Sequence, residues 1–226
     1  TQVRINILNM VYKANASHIG SCYSITDILA VLFGLVMNLD SNYPKKMNRD
    51  RFILSKGHAG AAVYSILAEM NFIDRTELEN YGADGSLLMT HINHKVNGVE
   101  FSTGSLGHGL PFGVGKSLVG QRLNANWRTF VLLSDGEMDS GSNWEALMFA
   151  AHHNLDNLVA IVDYNKLQSL TSIEKTLGLE PIVDKLIAFG KLIKSFVYFG
   201  IWVLKNLNVL VEIEINFLFA FLYFFN

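Results

Sequence analysis

Two short apolar runs constrain this chain more than any other stretch: Thr129–Asp135 (TFVLLSD) and Leu158–Asn165 (LVAIVDYN). Both read as buried β-strands bounded by turn signals, and each ends on an oxygen-bearing side chain. Asp135 and Asn165 fall 30 residues apart, with a helix-forming segment between them. In open α/β sheets ligands collect outside the carboxyl ends of the strands, where both residues sit. Magnesium prefers such oxygens and is usually shared between one or two protein ligands and a phosphate. Taken singly, a strand-end Asp is an ordinary helix cap and a strand-end Asn an ordinary turn former. The sequence around them shifts that balance.

The run from Ser134 to Gln168 (SDGEMDSGSNWEALMFAAHHNLDNLVAIVDYNKLQ) is unusually specific. Gly136 lets the backbone approach a phosphate, and its N–H is a donor for one. Gly141 begins a turn into a helix whose positive end favours anions. Asp135, Asn165 and the backbone carbonyl of Leu167 are candidate metal oxygens. A second glycine run, Gly109–Ser117 (GLPFGVGKS), has P-loop flavour but carries Leu110 where the spacing requires glycine. Gly104–Gly109 (GSLGHG) lacks the closely preceding strand and the ribose-binding acid of a dinucleotide fingerprint. It reads instead as chain passing tightly around a cofactor ring.

Five histidines, His18, His58, His91, His94 and His108, fall in loops or at helix starts. A lone loop histidine is usually solvated, but together they read as an imidazole-lined cleft able to move protons near neutral pH. His91 and His94 lack the further ligands of a zinc set. His152 and His153 lie on a helix and read as structural or surface residues. Cys22, the sole cysteine, excludes an internal disulfide and fits a reducing compartment. It reads as a small buried residue before a reactive thiolate.

Elements alternate as in a parallel α/β sheet. Helix is expected over Val3–Ala16, over Ile25–Met37 with Ser24 as N-cap, from Lys56 to Met70, over Asp74–Tyr81, Leu110–Gly120 and Trp144–His153. A further strand is expected at Arg51–Leu54. A net charge of −2 without a basic stripe argues against nucleic acid. No signal-peptide pattern is visible, so a cytoplasmic protein is expected. Beyond Gly190 the composition changes. Lys191–Asn226 is dominated by Phe, Leu, Ile, Val and Asn, shows no clean period, and is too interrupted for a membrane span. It reads as an atypical tail, frame-shifted or truncated.

Four ordered segments then carry a family resemblance: Ala16–Leu32 (ASHIGSCYSITDILAVL), Arg49–Ala59 (RDRFILSKGHA), Val99–Leu110 (VEFSTGSLGHGL) and Ser134–Gln168. The chain resembles the N-terminal half of transketolase, in particular the split kind made of two subunits. That resemblance implies the thiamin diphosphate-binding fold, a parallel sheet flanked by helices, over residues 1–190. It implies that Asp135, Asn165 and the Leu167 carbonyl hold Mg²⁺, that Gly136 meets the diphosphate, and that Gly104 and Leu106 flank the aminopyrimidine. His18, His58 and His91 would line the channel, with His58 near the diphosphate. The implied reaction is transfer of a two-carbon ketol unit from a ketose to an aldose, with sugar phosphates as substrates. A C-terminal subunit carrying the pyrimidine-binding domain would complete a dimeric assembly. The sequence departs from the family at Ser134 (usually Gly), Ser140 (usually Glu) and His108 (commonly Gln). The alternatives are another thiamin diphosphate enzyme, such as a deoxyxylulose-phosphate synthase or 2-oxo-acid dehydrogenase component, or a truncated, inactive remnant.

Overall fold

Four parallel strands lie side by side in sequence order in the computed structural model, which describes residues 1–169 and 171–189 and the backbone of Phe196–Phe199. They are β1 (Arg51–Leu54), β2 (Thr129–Ser134), β3 (Leu158–Asp163) and β4 (Phe196–Phe199). The first three are buried almost end to end, as strands covered by helices on both faces must be. Register is tight: Leu54 pairs with Leu132 and Ser134 with Asp163. β4 runs along β3 from Phe196 opposite Ala160 to Phe199 opposite Asp163. The rest of the expected tail lies outside the described residues.

The period-2 alternation of the strands feeds two separate cores. Phe52, Leu54, Phe130, Leu132, Val159 and Ile161 face one. Ile53, Val131, Leu133, Ala160 and Val162 face the other. The first core is closed by α1 (Gln2–Lys13), α2 (Ile19–Ser24), α3 (Thr26–Val31) and α4 (Gly60–Glu69). The second is closed by α5 (Gly109–Arg122), α6 (Gly141–His152), α7 (Ile173–Thr176) and α8 (Ile182–Ile187). In α1 the buried residues Val3, Ile7, Met10 and Val11 recur at helical spacing and pack on α4. Each fully buried side chain such as Ile7 or Leu29 stabilises the fold by about 1.5–3 kcal/mol.

The expected elements form, with local differences; the helix expected from Lys56 starts as a 3-10 turn, Gly57–Ala59, and becomes α4 only at Gly60. The helix expected over Ile25–Met37 is α3 followed by a π-helical turn, Leu32–Val36, and the chain is already extended at Met37. Ser24 caps nothing; it ends α2, and its hydroxyl is drawn to a distant partner. Asp74–Tyr81 is a tighter 3-10 turn, Arg75–Asn80, held by a capping box between Asp74 and Glu77. Among the described residues no helix is long and apolar enough to cross a membrane.

Candidate functional site

A cleft of about 810 Å³ opens at the carboxyl ends of β1, β2 and β3. Its walls include Lys56 just past β1, Ser134 and Gly136 at the end of β2, and Asn165 and Leu167 past β3. Parallel register levels these strand ends, so residues far apart in sequence become neighbours. Lys166 adopts a left-handed backbone (φ 62°), and its N–H donates to Asp135 Oδ2 at 2.6 Å. Asp135 is thereby pinned beside Asn165. Its other oxygen accepts the Gly136 N–H at 2.8 Å.

Asp135 is fully buried, and that burial pushes its carboxyl up to about 6 despite the two N–H bonds. Each carboxylate oxygen keeps a lone pair. A buried carboxylate short of positive charge, next to a carboxamide and a backbone carbonyl, is an all-oxygen donor set that fits a hard dication. Asn165 Oδ1 accepts the Leu167 N–H at 2.9 Å in a local turn. Gly136 departs from expectation in one respect. Its N–H is spent on Asp135, so it offers the cleft a bare Cα. A Cβ there would meet the Gln168 side chain at 3.0 Å, and Gln168 in turn donates to Asp139 at 3.0 Å.

Beneath Asn165 lies a charge pair that the sequence pattern does not single out. Lys56 Nζ meets Asp163 Oδ2 at 2.6 Å, both side chains almost fully buried. Asp163 also accepts from Ser24 Oγ at 2.7 Å and from Asn165 Nδ2 at 3.1 Å. Asn165 Nδ2 reaches Ser24 Oγ as well, at 3.3 Å. With its amide nitrogen so held, Asn165 is fixed with the oxygen on the opposite side. A second such group is Glu137, whose carboxyl is fully buried among Ser55, Gly107 and Ser134. Burial raises its affinity for a proton. Both escape notice because a charge in a sequence is ordinarily read as solvated.

His18, His58 and His91 do come together: the His18 ring lies 4.9 Å from that of His58 and 6.1 Å from that of His91. His18 and His58 line the cleft, whereas His91 does not and lies exposed beside Gly104. His18 holds a left-handed backbone (φ 71°), uncommon for a residue with a side chain and typical of functional loops. Burial, helped by Lys56 and the other two rings, pulls His58 down to about 4. Burial and His91 lower His18 too. Leu106 lines the cleft, and Gly104, exposed beside His91, does not. His94 points elsewhere, its Nδ1 2.7 Å from Ser102 Oγ, and His108 turns its Nδ1 to the Leu106 carbonyl at 2.9 Å. Among the described residues no three or more His, Cys, Asp or Glu side chains form a metal cluster. Cys22 is buried, with its thiol pushed up to about 11 by burial, and is inert at neutral pH.

The chain and its fold have known relatives. The family model described as the transketolase thiamine diphosphate binding domain matches residues 1–190. An apulose-4-phosphate transketolase subunit of Phocaeicola vulgatus is 41% identical over 187 residues, covering 83% of this chain and 66% of the relative. The 6-deoxy-6-sulfo-D-fructose transketolase subunit SqwG of a Clostridium species is 36% identical over 194 residues, covering 85% and 70%. Among solved structures, transketolase from Leishmania mexicana superposes with a TM-score of 0.78 at 29% identity, covering 83% of this chain and 30% of that one. The chain thus spans about two thirds of the subunits it matches and under a third of the full-length enzyme.

Proposed function

The chain belongs to the transketolase family, as its thiamine diphosphate-binding N-terminal domain, and we propose that it is one subunit of a split transketolase. In this reading residues 1–190 carry the cofactor-binding domain, and its sheet takes in Phe196–Phe199 as a fourth strand. The word subunit in the relatives' names supports a second chain, and in this reading that chain supplies the pyrimidine-binding domain. Bound thiamin diphosphate supplies the carbanion chemistry by which a two-carbon ketol unit passes from a ketose to an aldose.

This chain's own residues then divide the work. Asp135, Asn165 and the Leu167 carbonyl hold Mg²⁺, and Gly136, which lines the cleft without a Cβ, lets the diphosphate approach the backbone at the end of β2. Asp163, Lys56 and Ser24 keep the Asn165 oxygen turned to the cation. Gly104 and Leu106 flank the aminopyrimidine. His58, neutral at pH 7, donates or accepts one hydrogen bond near the diphosphate without adding charge. His18 and His91 hold protons near substrate oxygens. Sugar phosphates in the cytoplasm are the substrates this reading expects.

The observation that carries it is the meeting of Asp135 with the Asn165–Lys166 peptide at the edge of the cleft. Calorimetric titration of thiamin diphosphate tests it. Saturable binding that needs Mg²⁺ is expected, and Asp135→Ala should weaken it at least about a hundredfold, beyond what loss of an outer-shell group costs. Affinity indifferent both to chelator and to Asp135→Ala would remove the metal site from this place.

A further inference from the structure

The turn that carries Gly104 and Leu106 is gripped at Gly107, through the peptides on both sides of it, and the grip comes from the segment that follows Asp135. Gly107 donates its N–H to Glu137 Oε2 at 3.1 Å. Its carbonyl accepts the Ser142 hydroxyl at 2.7 Å. Gly107 itself is left-handed (φ 80°), and a Cβ on it would fall 2.6 Å from Ser142 Oγ and 2.7 Å from Ser140 Cβ. Only glycine permits both the backbone conformation and the close seat. Glu137 ties in two more strand ends through the same carboxyl: Ser55 donates to Oε2 at 2.8 Å and the Ser134 N–H to Oε1 at 3.0 Å. A fully buried carboxyl with three donors and no surface exposure is expensive to maintain unless the arrangement it fixes matters.

We infer that Glu137 and Ser142 are positioning residues: together they hold the Leu106–Gly107 turn at a set distance from Gly136, so that the ring end and the diphosphate end of one cofactor are gripped by one rigid element. The inference rests on the functional reading above and deepens it. Neither residue lines the cleft: the Glu137 carboxyl is fully buried and taken up by Ser55, Gly107 and Ser134, and the Ser142 hydroxyl by the Gly107 carbonyl, so each acts through the turn. The diphosphate end has its own supports in Asp135, Lys166 and Asn165, which Ser142 does not contact. The two ends of the site are therefore separable by mutation.

That separability sets the experiment. The full chain, Ser142→Ala and Glu137→Gln are titrated with thiamin diphosphate and with inorganic pyrophosphate, each with excess Mg²⁺. Amide hydrogen exchange over residues 104–108 is followed in parallel. Ser142→Ala should weaken thiamin diphosphate about tenfold, the size of one lost hydrogen bond. It should leave pyrophosphate affinity within about twofold, and exchange at Gly107 should quicken. Glu137→Gln must turn an amide NH₂ toward either the Gly107 or the Ser134 N–H. It should lose thiamin diphosphate affinity by more than Ser142→Ala does. Should Glu137→Gln fail to fold, Ser142→Ala alone decides. Equal losses for the two compounds, or no loss with unchanged exchange, would overturn the inference while leaving the functional reading standing. A parent chain that binds neither compound would overturn the functional reading, and the inference with it.

Discussion

His58 and Asp135 sit at the same cleft and pull stability in opposite directions with pH. His58 is lowered from 6.5 to about 4 by burial. Its neutral form favours the folded state fully above pH 6.5, and that contribution is lost as pH falls toward 4. Asp135 is raised from 3.8 to about 6, so its contribution is fully present below 3.8 and is lost as pH rises through 6. Urea unfolding of the chain and of His58→Gln separates the two. The variant should lose less stability than the parent between about pH 6.5 and 4. In the parent, NMR should find the His58 ring still neutral at pH 7. A His58 signal titrating in the ordinary range near pH 6.5 would mean that the ring is not enclosed as described.

At the scale of elements, the glycine run Gly109–Ser117 becomes intelligible once α5 is seen on the sheet. Gly109 and Gly113 lie one turn apart and face β1 and β2: a Cβ on Gly109 would lie 2.4 Å from Ser55 Oγ, and one on Gly113 2.4 Å from Val131 Cγ2. The glycines serve close packing, not a phosphate. Gly113→Ala gains about 1 kcal/mol of helix propensity but overpacks a stiff valine, which costs about 1–3 kcal/mol. The melting temperature should fall, and Val131→Ala in the same chain should recover part of the loss. Gly115, with open space around it, should by contrast be stabilised by alanine by about 0.5–1 kcal/mol. The strands are legible in the sequence because their apolar runs are short and bounded, and Arg51–Leu54 forms where expected. Asp135 and Asn165 are legible because strand ends collect ligands. Lys56, Asp163 and Glu137 are not, because burial of a charge depends on partners 107 and 82 residues away along the chain. Ser24 misleads for the same reason: a local capping signal loses to a carboxylate 139 residues on.

At the scale of the whole molecule, the chain spans 66% of its Phocaeicola vulgatus relative, and activity is expected only in company. The isolated chain should show no ketol transfer from a ketose phosphate to an aldose phosphate. Mixing it with a chain that carries the pyrimidine-binding domain should restore turnover; turnover by the chain alone would end the split-subunit reading. The sheet that supports the cleft also limits how such a protein can change over time. Because neighbouring residues of β2 enter opposite interiors, deleting one residue there would send the Phe130 ring toward α5 and leave a hole beneath α4. Lineages descending from this fold can exchange one strand residue for another, but gains and losses of length are confined to the connections between strands.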